Sequence, residues 1–212
     1  ALENKRASNG AAVVIDNRTA ELLALVGSEN YFRPGIGQVN AATARRSPGS
    51  ALKPFTYLLA IQNGLTPASV LADIPSEFPT PTGSFRPVNY DQSFRGPVRL
   101  RSALANSLNV PAVRLLADMG GPSPLVSALK TCGLTTLDNA PDHYGLGLTI
   151  GNAEVRLLEL ANAYACLSRL GIYRPIRIFL NAPGRAEEGS LEGRRVFDAA
   201  ATWLLADILN DD

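Results

Sequence analysis

Net charge is almost absent from this chain: 20 Lys and Arg against 19 Asp and Glu leave +1 at pH 7 over 212 residues. Nucleic-acid binding needs a concentrated basic patch, and the pair Arg45–Arg46 is too short to make one, so no nucleic-acid partner is expected. Cysteine is scarce. Cys132 and Cys166 both sit in apolar, helix-like surroundings (LVSALKTCGL and LANAYACLSRLG), which predicts two buried thiols; the sequence leaves open whether they pair. Cys and His nowhere take a metal-ligand spacing. The single histidine, His143 in NAPDHYGLGLTIG, would have to carry any Ser–His–acid triad alone and reads as a surface or loop histidine. No apolar run is long enough to cross a membrane, no signal peptide opens the chain, and there is no internal repeat or low-complexity segment. The chain opens abruptly at ALENKRASNG and stops inside the helix pattern ATWLLADILNDD, so it is expected to be a piece of a longer protein.

What is present suffices for one large domain or two small ones with a substantial core. Hydrophobic residues make up 46% and charged residues 18%, proportions of a soluble globular protein. Residues 10–28 (GAAVVIDNRTAELLALVGS) read as a β-hairpin, with β-forming Val13, Val14 and Ile15, turn chemistry in DNRT and a returning ELLALVG. A Gly- and Pro-containing irregular stretch follows. A helix is predicted from about Ser50 to Asn63, closed by Gly64. Residues 73–98, rich in proline and aromatic rings, read as a loop. Residues 99–120 predict two helical segments broken near Pro111. PLVSALKTCG, AEVRLLELANAYACLSRLG and RRVFDAAATWLLADIL predict further helices, and residues 171–179 (GIYRPIRIF) a strand. A hairpin, a mostly helical middle and a late strand together predict an α+β fold in which helices are inserted between parts of one sheet.

The chemistry centres on ARRSPGSALKPFTYLLAIQNG, residues 44–64. Positions i and i+3 share a helix face with Cβ atoms roughly 5–6 Å apart, so Ser50 and Lys53 can touch. Pro54 has no N–H and its ring crowds the carbonyl four residues back, so Ser50 must stand at the start of the helix rather than inside it. Backbone N–H groups and the positive dipole end gather there and favour an oxyanion. A serine hydroxyl needs a base, and lysine serves only when neutral. At its reference pKa roughly one lysine in 2,500 is neutral at pH 7, and lowering that pKa by about three units costs on the order of 4 kcal/mol. Burial and a nearby positive charge push in that direction, and Leu52 and Phe55 supply apolar neighbours. Ser-x-x-Lys alone also describes an ordinary N-cap with a solvated lysine.

A second polar group lies in RSALANSLNVPAV, where Ser107 and Asn109 flank Leu108. If the helix ends near Leu108, both side chains can face one cleft; otherwise they are two exposed residues at a helix C-terminus.

SPGSALKPF followed by NYDQSFRGPVRLRSALANSLNVPAV closely resembles the transpeptidase domain of class A penicillin-binding proteins, in motif order and over nearly all of residues 10–209. RRSPGSALKPF and GLGLTIGNAEVRLLELANAYACLSRLGIYRP are most similar to its 1C branch. The family pairs Ser-x-x-Lys with a Ser-x-Asn and a Lys-Thr-Gly element. The resemblance implies a penicillin-binding/β-lactamase-like transpeptidase fold, an antiparallel sheet flanked by helices with a mostly helical inserted subdomain, incomplete at the C-terminus. It implies Ser50 as acylated nucleophile, with its backbone N–H as half of the oxyanion hole, and Lys53 as general base. It implies Ser107 as proton relay and Asn109 as the group that binds the donor peptide and orients Lys53.

The same resemblance implies a serine D,D-transpeptidase that cross-links peptidoglycan stem peptides, is acylated by β-lactams and needs no cofactor. The alternatives are a D,D-carboxypeptidase or β-lactamase-type hydrolase and a penicillin-binding sensor or scaffold without turnover. The full-length protein is expected in the bacterial cell envelope, at the periplasmic, outer face of the inner membrane, anchored there with an upstream glycosyltransferase domain. The third element, Lys-Thr-Gly, is absent from residues 1–212; LKTCGL, with Lys130 and Thr131 in a helix pattern, is a decoy. The chain is therefore expected to be a partial transpeptidase domain, inactive in turnover by itself. GLGLTIG lacks the lysine of a phosphate loop. Tyr31, Phe32, Phe85, Tyr90 and Phe94 are expected to pack rather than to line a cleft. Asp73, Glu77 and Asp91 would serve glycoside chemistry only if folding brought them together.

Overall fold

The computed structural model describes residues 9–80, 83–178 and 192–210. Along the chain run β1 (Ala12–Ile15), β2 (Leu22–Val26), β3 (Arg45–Arg46), α1 (Lys53–Gln62), β4 (Val70–Asp73), β5 (Phe78–Thr80), β6 (Gly83–Phe85) and β7 (Gly96–Arg99). Then come α2 (Leu100–Ala105), α3 (Asn109–Asp118), α4 (Ser123–Thr131), α5 (Pro141–Tyr144), β8 (Val155–Arg156), α6 (Leu157–Ser168), β9 (Ile172–Tyr173), β10 (Arg194–Arg195) and α7 (Ala199–Leu209). Two compact units are interleaved: Ala1–Ser47, Leu129–Asp138 and Glu154–Phe197 form one; Pro48–Ala128, Asn139–Ala153 and Asp198–Asp212 form the other. The fold is α+β, with a largely helical part inserted as the chain order predicts.

In the first unit β1 and β2 form the expected antiparallel hairpin, with a register shift between Val14 and Ile15. Its turn is held by the Asp16 carboxylate, which accepts from the N–H groups of Arg18 and Thr19 at 2.8 and 2.7 Å. Such side-chain closure is what Asp contributes to turns. The apolar face of α6 packs against β1. The 171–178 segment is only partly a strand: β9 pairs with β10, and Arg177 bridges Glu21 in parallel. Pro175 interrupts the ladder because it has no N–H to donate. Residue 179, the last of the predicted strand, lies outside the described residues. Cys132 and Cys166 are free and buried; the hydrogen bond with Cys166, and then burial, push the Cys132 thiol up.

The second unit is built around α1. Eight of its ten residues are buried, Lys53 through Leu58 together with Ala60 and Ile61, so it is covered on nearly every side, as a central core helix must be. Helices α2, α3 and α7 pack against it. The hydroxyls of Thr56 and Thr149 satisfy each other at 2.7 Å inside this core.

The structure departs from the sequence reading at several places. The 73–98 stretch is bounded by the antiparallel pair β4–β7 and contains the pair β5–β6. Prolines 79 and 97 disguised them, and such two-stranded ribbons tolerate proline because every strand is an edge. Residues 194 and 195, assigned to the last helix, form β10; α7 starts after Asp198, whose carboxylate accepts from the Ala201 N–H at 2.8 Å. Tyr31, Phe32, Tyr90 and Phe94 are exposed rather than packed; Tyr31 and Phe32 meet edge to face at 5.4 Å. All four lie outside regular elements, where no apolar partner face is presented to them. The strands described here form two-stranded pairs rather than one continuous sheet.

Asp198→Ala removes the cap of α7 and is expected to lower unfolding free energy by about 1 kcal/mol, read from the midpoint of urea unfolding.

Candidate active site

Ser50 stands in a 3-10 turn, Gly49–Leu52, that runs directly into α1. The α-helix begins at Lys53, so Ser50 precedes it, and Pro54 falls in the first turn, where no backbone N–H is missed. The serine is exposed while Lys53, three residues on, is only 1% exposed. The tight turn separates an accessible hydroxyl from a buried amine.

Gly49 sits at φ +55°, a left-handed conformation favoured by glycine. A Cβ on Gly151 would lie 2.5 Å from both Cα and N of Gly49. The GLGLTIG stretch is therefore no phosphate loop. Its 3-10 turn, Leu146–Ile150, and the glycine after it press on the serine-bearing turn backbone to backbone.

The buried Lys53 amine finds three oxygens. Its Nζ donates to the Ser107 carbonyl at 2.5 Å, to the Ser107 hydroxyl at 3.1 Å and to Asn109 Oδ1 at 2.6 Å. Three acceptors match the three protons of an ammonium. Burial nevertheless pushes the Lys53 amine well below its ordinary value, to about 8. Among the described residues no hydrogen bond joins the side chains of Ser50 and Lys53.

The partners come from the corner between α2 and α3. Helix α2 ends at Ala105 and α3 starts at Asn109, so the break lies at residues 106–108, ahead of Pro111 rather than at it. Pro111 is the third residue of α3, where its missing N–H costs nothing. Ser107 takes the left-handed conformation, φ +51°, a state non-glycine residues adopt at some cost. With Leu108 extended, residues 107 and 109 do face one amine, which a continuous helix would forbid.

Two groups behind the corner went unrecognised in the sequence. Asn89, in the loop before β7, accepts the Asn109 N–H at 2.8 Å and the Val110 N–H at 3.3 Å on its Oδ1. Its Nδ2 donates to both carboxylate oxygens of Asp73, at 2.8 and 3.0 Å, and to the Ser93 carbonyl at 2.8 Å. The Asn109 amide itself donates to the Val88 carbonyl at 2.8 Å. Asp73 is fully buried at the end of β4. Nothing in a single sequence separates this Asn from other loop asparagines. The side chains of the three carboxylates bond to different partners: Asp73 to Asn89, Glu77 to Arg86 and Asp91 to Arg95. His143 is exposed on α5. Lys130 and Thr131 end α4, as expected of a decoy.

Residues 10–212 match the family described as Penicillin binding protein transpeptidase domain. The chain belongs to the penicillin-binding protein transpeptidase family. Penicillin-binding protein 1C of Escherichia coli strain K12 is 35% identical over 210 residues, 97% of this chain and 25% of that protein. Penicillin-binding protein 1A of Aquifex aeolicus strain VF5 is 39% identical over 165 residues, 76% of this chain and 22% of that protein. The chain thus spans a quarter or less of these curated relatives. The crystal structure of penicillin-binding protein 1A from Haemophilus influenzae superposes with a TM-score of 0.77 at 26% identity, covering 95% of this chain and 34% of that one. These matches agree with the α+β transpeptidase fold and with the resemblance to the 1C branch.

In a penicillin-binding transpeptidase unit packed this way, Gly151→Ala has no room for its methyl group. It is expected to destabilise by about 2 kcal/mol or more, seen as a lowered thermal midpoint, because neither backbone can yield without distorting the serine turn.

Proposed function

We propose that this chain is part of a serine D,D-transpeptidase domain that cross-links peptidoglycan stem peptides, with Ser50 as nucleophile and Lys53 as its base. The observation that carries the reading is the Lys53 amine, buried and held by Ser107 and Asn109 just inside an exposed serine. With its pKa at about 8, roughly one Lys53 in ten is neutral at pH 7, against about one in 2,500 for an ordinary lysine. That gain is what a lysine base requires.

The proposed steps use only groups of the chain. Neutral Lys53 takes the Ser50 hydroxyl proton, directly or through the Ser107 hydroxyl. The Ser50 oxygen attacks the penultimate D-Ala carbonyl of a stem peptide. The oxyanion is favoured by backbone N–H groups at the start of α1, with the Ser50 N–H one of the donors. Collapse breaks the amide; the proton held at Lys53 passes by way of Ser107 to the departing D-Ala nitrogen. A neighbouring stem peptide's amine then attacks the Ser50 ester carbonyl and gives up a proton to Lys53; the bond from the carbonyl carbon to the Ser50 oxygen breaks as the new amide forms, and that proton passes to the Ser50 oxygen to restore the hydroxyl. Asn109, anchored on Val88, is placed to bind the donor peptide through its amide while fixing Lys53.

A β-lactam would acylate the same Ser50, since its strained amide presents the same carbonyl. No metal or organic cofactor enters these steps. Lys-Thr-Gly is not among the 212 residues, so we propose that turnover needs a third element from elsewhere in the full-length protein. We place that protein at the periplasmic face of the inner membrane, membrane-anchored and with a glycosyltransferase domain upstream. The short coverage of the long class A relatives supports this. No helix among the described residues is long and apolar enough to cross a membrane.

Intact mass spectrometry of the full-length protein after exposure to a fluorescent penicillin tests the nucleophile. A penicilloyl adduct is expected on the wild type and absent from Ser50→Ala; an adduct surviving in Ser50→Ala sinks the assignment. The base is tested by pH. Neutral Lys53 is the active form, so the acylation rate should rise from pH 6 to pH 9 with a midpoint near 8. A flat profile across that range would exclude Lys53 as base.

A further inference from the structure

Lys53 is held at a corner that cannot hold itself. Asn109 is the first residue of α3 and Ser107 stands just ahead of its N-cap; Leu108, at the N-cap position, has no side-chain oxygen for the orphan N–H groups there. The cap comes instead from Asn89, 20 residues away in sequence, which accepts from the first two N–H groups of the helix. An amide can present its oxygen or its nitrogen to a helix start, and only the oxygen serves. The choice is made by Asp73. Its buried carboxylate is acceptor-only when ionised and takes Asn89 Nδ2 on both oxygens, while the Arg95 backbone N–H occupies Oδ2 from the other side at 2.9 Å. The carboxylate's charge is felt nearby: burial and Asp73 together push the Tyr57 phenol up.

We propose that Asp73 and Asn89 form a positioning pair for the catalytic lysine: Asp73 orients the Asn89 amide, Asn89 caps α3, and the capped turn sets Asn109 and Ser107 against Lys53. Neither residue touches the amine. The inference rests on the Ser50–Lys53 reading for its catalytic consequence, but the hydrogen-bond chain itself stands apart from it.

The pair can be transposed. Asn89→Asp alone sets two carboxylates face to face, and Asp73→Asn alone sets amide N–H groups against the Asn89 amide or the Arg95 N–H. The double variant Asp73→Asn/Asn89→Asp restores donor to acceptor within the pair: Asp at 89 accepts from the helix and from Asn at 73, whose oxygen accepts from Arg95, while the Ser93 carbonyl, which takes Asn89 Nδ2 in the wild type, loses that donor. In the full-length protein, with samples shown to be folded by circular dichroism at 25 °C, each single variant is expected to acylate with a fluorescent penicillin at least about tenfold more slowly. The double variant should acylate at least about threefold faster than either single variant, short of the wild-type rate because the bond to the Ser93 carbonyl is lost. Leu125→Ala, a core change on α4 chosen to lower the thermal midpoint comparably, should acylate at the wild-type rate. Amide exchange at Asn109 and Val110, followed by mass spectrometry on the same samples, should accelerate in both single variants and return in the double.

Single variants that are folded, acylate normally and keep slow exchange overturn the positioning pair. Equal slowing in Leu125→Ala reduces it to general stability and overturns it as well. If the wild type forms no adduct, the Ser50 reading fails, and the exchange data alone then decide the pair: slow exchange in the single variants rejects it.

Discussion

One constraint organises the second unit: an amine must be kept almost dry yet never left without oxygen around it. A buried lysine is costly as an ammonium and useless as a base unless that cost is partly realised. Burial by the α1 core supplies the cost, and three oxygens from the α2–α3 corner limit it. The outcome is an amine near pKa 8, between a fully solvated lysine and one expelled into its neutral form. The left-handed Ser107, the late start of α3 and the remote cap by Asn89 all serve to bring oxygens to this one nitrogen.

The serine obeys the opposite requirement. It must be reachable, so it stands on a 3-10 turn ahead of the core helix rather than within it. That turn is anchored at its end by the fully buried Leu52 side chain. At its start it is held by main-chain contact with Gly151, where the absence of a side chain allows two backbones to meet.

Much of this was legible in the sequence where local chemistry is strong. The hairpin turn at Asp16, the helix that starts at the Ser50–Lys53 motif, the exposed His143 and the buried cysteines follow from residue types and spacing. The short strands β4 to β7 were not legible, because their prolines read as loop, and β4 finds its partner in β7 only about 25 residues further along the chain. The α2–α3 break falls close to Pro111 and near Leu108, as read, but Pro111 itself lies inside the first turn of α3; proline there looks the same in sequence as proline that ends a helix. Ser107 and Asn109 were legible by resemblance; Asn89 was not, because its role is created by Asp73 and α3, neither of which is its neighbour in the chain.

The packing of α1 against α7 has a consequence for how this protein must be made. The helix that carries Lys53 is buried on nearly every side, mostly through apolar side chains, and one of its covers lies at residues 199–209. During synthesis the chain grows from its N-terminus, so roughly 140 residues must follow α1 before that surface can be closed, and loop closure over such a span precedes any reward from the contact. Until then the most apolar helix of the site is a sticky surface, vulnerable to aggregation and dependent on whatever shields it. The chemistry of the mature site is bought with a vulnerable nascent chain.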